Sequence, residues 1–170
     1  MSMTTAAVLG TGAWGTTFAQ VLADAGVSVT MWGRNADTIS FINGGENPTY
    51  LPGIALSERI SATTDIAEAV AGRELVVVAV PVKAVRATLS AARESFAPDV
   101  ALLSLAKGLE LGSLKRVDEI IAEASGAPSD RIAVLSGPNL SREIAERQPT
   151  ATVVAATDVE LAKEIAKACH

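Results

Sequence analysis

Val8-Leu9-Gly10-Thr11-Gly12-Ala13-Trp14-Gly15 places a G-x-G-x-x-G directly after the short apolar run Ala6-Ala7-Val8-Leu9. It stands just before a stretch in which apolar residues recur at Trp14, Phe18, Val21, Leu22 and Ala25, ending at Gly26. The run reads as a buried strand and the spacing as an amphipathic helix with a glycine stop. In that setting the first glycine permits a tight turn, the second lets a pyrophosphate approach the main chain, and the third lets helix and strand pack closely. Free amides and the positive end of the helix dipole then face the anion. A bare glycine-rich turn would also explain the three glycines; the strand before and the helix after make dinucleotide binding the stronger reading. No Gly-Lys-Ser/Thr follows, which excludes a P-loop, and Thr4-Thr5-Ala6-Ala7 lacks the acidic residue with which methyltransferase strands usually open.

Working outward, Val27-Ser28-Val29-Thr30-Met31-Trp32 reads as a second strand, completing a parallel, right-handed βαβ unit. It ends at Trp32-Gly33-Arg34-Asn35, where an NAD-specific domain usually places Asp or Glu on the ribose 2′-hydroxyl. Arg34 stands there instead. A guanidinium can stack on adenine and pair with a 2′-phosphate, which favours NADP; Asp37 nearby keeps NAD open, and a solvated loop arginine is the plain alternative.

The alternation continues. Residues 43–52, with two glycines and two prolines, read as a loop; residues 59–62 as a strand; and Thr64-Asp65 as the cap of a helix running through Val70. Residues 75–80 are continuously apolar, as expected of a central strand covered on both faces. Val82, Val85, Leu89, Ala92 and Phe96 share one helical face, residues 100–106 form a strand, and Leu114, Val117, Ile120 and Ile121 mark another helix. Strands at 132–135 and 151–156 follow, then Thr157 with Glu160 as a capping box for a helix carrying Leu161 and Ile165. The pattern predicts an α/β domain over residues 1–170: a doubly wound, mainly parallel sheet with helices on both faces.

Composition agrees. The 170 residues suit one domain, and 49% hydrophobic against 19% charged residues excludes intrinsic disorder. Cys169 is the sole cysteine, so neither an internal disulfide nor a cysteine zinc site is expected. No apolar run approaches the roughly 20 residues that span a bilayer, and Met1-Ser2-Met3-Thr4-Thr5 carries no basic leader region, so a cytoplasmic protein without membrane partners is expected. A net charge of −5 with no basic stretch argues against a nucleic-acid partner and leaves a small-molecule substrate.

Ligands of such sheets collect beyond the carboxyl ends of the strands, which singles out two further turns. Lys107-Gly108 could place a cation on a phosphate or carbonyl, or be an ordinary exposed lysine; Ser136-Gly137-Pro138-Asn139, before a helix starting near Ser141, is a second anion-binding turn or mere connection. Trp14 and Tyr50 read more readily as packing residues than as contacts. Hydride transfer to a ketone also needs a proton donor, and the only histidine, His170, is the last residue. The acid/base group is therefore expected outside this chain.

Taken together, these segments resemble the bacterial-type NAD(P)-dependent glycerol-3-phosphate dehydrogenases. The resemblance rests on the glycine turn through Thr16-Thr17, Trp32-Gly33-Arg34, Tyr50-Leu51-Pro52-Gly53-Ile54, Lys107-Gly108-Leu109-Glu110, Leu135-Ser136-Gly137-Pro138-Asn139 through Glu143-Ile144-Ala145, and Gln148-Pro149-Thr150. It implies a Rossmann-like domain followed by a helical substrate domain, and an activity interconverting glycerone phosphate and sn-glycerol 3-phosphate for phospholipid synthesis. It also implies NADP or NAD held by Gly10, Gly12, Ala13, Trp14, Gly15, Arg34, Lys107 and Ser141, and substrate met by Lys107, Gly137 and Asn139. Lys107 would supply electrostatics, the general base would lie beyond this chain, and the full-length protein could form a homodimer. Asn139 and Ser141 depart from the commoner Ser or Thr and Ala. Another reductase of the same fold and a non-enzymatic dinucleotide sensor are the competing readings.

Overall fold

The computed structural model describes residues 3–170; Met1 and Ser2, part of the stretch read as leaderless, lie outside them. In chain order the strands are β1 (Thr5–Leu9), β2 (Ser28–Trp32), β3 (Glu46–Asn47), β4 (Leu51–Ala55), β5 (Ile60–Thr63), β6 (Leu75–Val78), β7 (Ala101–Ser104), β8 (Ile132–Ser136) and β9 (Val153–Ala156). The helices are α1 (Ala13–Asp24), α2 (Ala36–Asn43), α3 (Ile66–Val70), α4 (Val82–Ala92), α5 (Val117–Ser125), α6 (Ser141–Ala145) and α7 (Val159–Lys167).

Seven strands form one sheet in the order β5-β2-β1-β6-β7-β8-β9, parallel throughout except for the antiparallel β8–β9 pair. The strand order runs one way from β1 and the other way from β6. A crevice therefore opens between the carboxyl ends of those two strands, where Leu9 pairs with both Trp32 and Val78. This is the doubly wound, mainly parallel fold expected from the sequence.

Strand period two divides the apolar residues between two cores. Val8, Met31, Val77 and Leu103 pack with Phe18 and Leu22 of α1 and Ile165 of α7, whereas Leu9, Val76, Val78 and Leu102 pack with Val85 and Leu89 of α4 and Ile120 and Ile121 of α5. Each fully buried aliphatic side chain contributes about 1.5–3 kcal/mol, so the two layers hold the sheet rigid beneath the crevice. At the opposite end of β1, one Glu74 oxygen accepts from the amides of Thr4 at 2.7 Å and Thr5 at 3.0 Å. These bonds hold its carboxyl below the usual range.

Four local expectations need correction. Residues 43–52 are not simply a loop: α2 ends at Asn43, and β3 and β4 form a small antiparallel hairpin. The helix is set by Asn35, whose Oδ1 accepts from the Thr38 amide at 2.8 Å, and by burial of Ile39 and Ile42, a signal too short to stand out in the sequence. Leu114 lies outside α5; it is 71% exposed with φ +57°, while the helix begins beyond the Arg116 amide, which donates to Glu119. The cap of α7 is Asp158, which accepts from the Glu160 amide at 2.9 Å, and not Thr157, whose hydroxyl donates to the Ser129 carbonyl. Phe96 follows a 3₁₀ turn (Arg93–Ser95) rather than continuing α4, yet still packs on the core. Among the described residues no helix is long and apolar enough to cross a membrane, and no three His, Cys, Asp or Glu side chains gather as a metal site.

Candidate functional site

A groove of about 610 Å³ runs across the carboxyl ends of β2, β1, β6 and β7, lined by Gly10, Gly12, Trp14, Gly15, Arg34 and Lys107 among others. Its floor is the turn from β1 into α1. Gly10 has φ +125°, and a Cβ there would lie 2.9 Å from the Ala79 carbonyl oxygen, so the two central strands approach too closely for a side chain. A Cβ on Gly15 would lie 2.3 Å from the Gly10 oxygen; this glycine seats the helix on the turn. Gly12 differs, since a Cβ there would meet nothing within 4 Å.

The first main-chain bond of α1 runs from the Thr16 amide to the Gly12 carbonyl at 2.9 Å, so the amides of residues 12–15 precede the helical ladder. No acidic residue occupies the first turn. Open space at Gly12, amides outside the ladder and the positive helix end together suit a pyrophosphate. The residues present therefore fit the dinucleotide implied by the motif.

Beside the turn, a second hollow of about 430 Å³ is lined by Thr11, Arg34, Asn35, Asp37, Thr38 and Tyr50 among others. The exposed Arg34 and the first turn of α2 meet here, so a cation and Asp37 face the same space. At the opposite end of the groove, Lys107 Nζ donates to the Gly137 carbonyl at 3.1 Å. Its loop turns at Gly108, φ +112°, and is fastened at Glu110, whose two oxygens accept from Arg86 on α4 at 2.8 Å each. Ser113 Oγ also donates to Glu110 at 2.6 Å, Arg86 bonds Glu123 at 3.0 Å, and Lys115 pairs with Glu123. The Arg86 guanidinium, then the Ser113 hydroxyl, bring the Glu110 carboxyl down to about 2. The same pairing raises the Arg86 guanidinium.

Of the residues singled out in the sequence, the groove gathers Gly10, Gly12, Trp14, Gly15, Arg34 and Lys107. Trp14 also packs edge-on against Phe18, ring centroids 5.8 Å apart, so it serves core and groove together. Ala13, Ser141, Gly137 and Asn139 are not among its lining residues. Gly137 is reached through Lys107, Ser141 offers its carbonyl to Thr17 Oγ1 at 3.1 Å, and Asn139 lines a separate cavity of about 140 Å³ that also touches Trp14 and His170. Trp32, the Ala79-Val80-Pro81 turn and Ala106 also line the groove without being marked as site residues in the sequence, and so does Tyr50, expected there to be a packing residue. The carboxyl-end rule applied to β6 points to residues 79–81; nothing local marks Tyr50, which arrives on the unforeseen hairpin.

Residues 5–162 match the family described as "NAD-dependent glycerol-3-phosphate dehydrogenase N-terminus". This chain belongs to that family. It is 52% identical over 169 residues to the NAD(P)+ glycerol-3-phosphate dehydrogenase of Thermobifida fusca, covering 98% of this chain and 50% of that protein. The corresponding enzyme of Streptomyces griseus is 51% identical over 166 residues, covering 97% and 49%. Among solved structures, glycerol-3-phosphate dehydrogenase from Coxiella burnetii superposes with a TM-score of 0.90 at 29% identity, covering 99% of this chain and 51% of that one. The chain thus spans about half the length of the curated family members it matches. A prephenate dehydrogenase from A. aeolicus, at 14% identity and TM-score 0.72 over 99% of this chain and 57% of that one, shares the fold alone.

Proposed function

We propose that this chain is the coenzyme-binding half of an oxidoreductase that interconverts glycerone phosphate and sn-glycerol 3-phosphate with NADPH or NADH. The observation that carries the reading is a single groove with an open amide turn at Gly12 and a lysine ammonium at its other end. Amides at the start of α1 would hold the pyrophosphate; Gly10 and Gly15 keep the turn tight, and Arg34 would meet the adenosine ribose. The coenzyme, when bound, supplies the hydride.

Lys107 would hold positive charge beside the carbonyl oxygen as it gains electron density, lowering the cost of the developing alkoxide. Gly137, held by Lys107, and Asn139 would border the substrate, with Ser141 near the coenzyme. The remaining phosphate ligands and the group that moves the alkoxide proton would come from a second, substrate-binding domain, a reading supported by the double length of the matching family members. The complete protein would act in the cytoplasm, supplying glycerol phosphate to phospholipid synthesis, and could assemble as a homodimer.

Calorimetric titration of the 170-residue chain with NADPH and NADH tests the first half of the proposal. Saturable binding of at least one coenzyme is expected, and no heat from either at millimolar concentration refutes it. Comparing glycerone phosphate with other keto substrates on the complete enzyme tests the second half.

A further inference from the structure

The β3–β4 hairpin touches the glycine turn through one side chain. Asn47 is 1% exposed, and its Nδ2 donates to the Thr11 carbonyl at 3.0 Å and to Thr16 Oγ1 at 2.8 Å. Thr16 Oγ1 donates in turn to the same Thr11 carbonyl at 3.3 Å, closing a triangle beneath the turn. Asn47 Oδ1 is buried without a hydrogen-bond partner among the described residues. An unsatisfied buried acceptor is costly, so a residue kept for packing alone would be apolar here; what Asn47 contributes is its two amide donors.

The two donors act on a peptide plane. The Thr11–Gly12 bond is trans, so the Thr11 carbonyl and the Gly12 N–H point in opposite directions. Drawing the carbonyl towards the hairpin turns the Gly12 N–H away from it, at the residue where the main chain faces open space. We infer that Asn47 is a positioning residue for coenzyme binding: by holding the Thr11 carbonyl it aims the Gly12 amide at the pyrophosphate. The inference rests on the dinucleotide reading above and extends it to a side chain that touches no ligand.

The test uses the 170-residue chain, whose two cores and continuous sheet make it a folded unit. Kd values for NADPH, NADH and adenosine 2′-monophosphate, which has no pyrophosphate, are measured for the parent and for Asn47→Ala, Asn47→Asp and Asn43→Ala. Asn43 is the control: it exchanges bonds with the Ala62 carbonyl and amide at 2.9 and 2.7 Å beside the same hairpin but does not touch the glycine turn. Loss of two hydrogen bonds at the turn should weaken coenzyme binding roughly tenfold in both Asn47 variants, with Asn43→Ala within about twofold of the parent. Adenosine 2′-monophosphate should be bound equally by all four. The Gly12 amide resonance should move on NADPH addition in the parent and less in Asn47→Asp, which keeps the side-chain shape if Asn47→Ala unfolds. Unchanged coenzyme affinity in the Asn47 variants, or equal weakening of adenosine 2′-monophosphate, overturns the positioning role. A parent that binds neither coenzyme overturns the dinucleotide reading itself, and this role with it.

Discussion

Lys107 and Gly137 lie 30 residues apart in sequence, yet the Lys107 ammonium donates to the Gly137 carbonyl at 3.1 Å. The bond spans the loops after β7 and β8, so it sets where the cation stands at the end of the groove. It is exposed, and its net contribution to stability is about 0.5–1.5 kcal/mol. Lys107→Ala in the complete enzyme should therefore lower kcat by about 10²–10³ while shifting Tm by only a few degrees. Steady-state kinetics with glycerone phosphate and a thermal melt check both halves; near-normal turnover rejects the electrostatic role.

Glu110 makes the stability of the Lys107 loop depend on pH. Its carboxyl titrates at about 2 when folded against 4.5 ordinarily, because it accepts first from Arg86 and then from Ser113. A depressed folded value means stability that is fully present above 4.5 and lost as pH falls towards 2. Glu110→Gln should accordingly be less stable than the parent at neutral pH, with the gap closing between pH 4.5 and 2. Denaturant midpoints across that interval decide it, and a gap constant with pH would remove the ion pair from the explanation.

These loops also show what was legible in the sequence. The central strands were readable because apolar residues buried on both faces leave no alternation to misread: residues 75–78 are fully buried. The glycine turn was readable because its chemistry is local, and Lys107 because it follows a strand. Tyr50 and Asn47 were not, since their roles depend on a hairpin whose first strand has two residues and whose second contains Pro52. Leu114 misled because its spacing to Val117 and Ile121 imitates a helix face, whereas Gly112 and the left-handed Leu114 turn the chain before α5 begins. The Lys107–Gly137 bond, made by residues distant in sequence, leaves no periodic trace.

Arg34 lines both the groove and the hollow that holds Asp37, so coenzyme choice should be sensitive to it. A guanidinium on a 2′-phosphate makes charge-assisted bonds worth about 1.5–3 kcal/mol, a contact NADH lacks. Arg34→Ala should weaken NADPH roughly 10- to 100-fold while changing NADH far less. Parallel titrations of the 170-residue chain measure the ratio; equal losses for the two coenzymes would move Arg34 from the 2′-phosphate to the adenine or to solvent.

Gly12 and Gly15 look alike in the motif but should fail differently when given a methyl group. At Gly12, φ is −70° and a Cβ meets nothing within 4 Å, so alanine is tolerated apart from weaker capping, a loss of about 1 kcal/mol. On the proposed reading the same methyl would stand in the path of the pyrophosphate, so binding should be lost. At Gly15, inside α1, alanine offers about 1 kcal/mol of helix propensity, but its Cβ would lie 2.3 Å from the Gly10 carbonyl oxygen. Main chain on both sides cannot yield without lifting α1 from β1, so the clash wins and stability should fall by up to about 3 kcal/mol. Chemical denaturation and NADPH titration of Gly12→Ala and Gly15→Ala separate the two effects. A Gly12→Ala protein that binds like the parent would show that the ligand does not approach this amide turn.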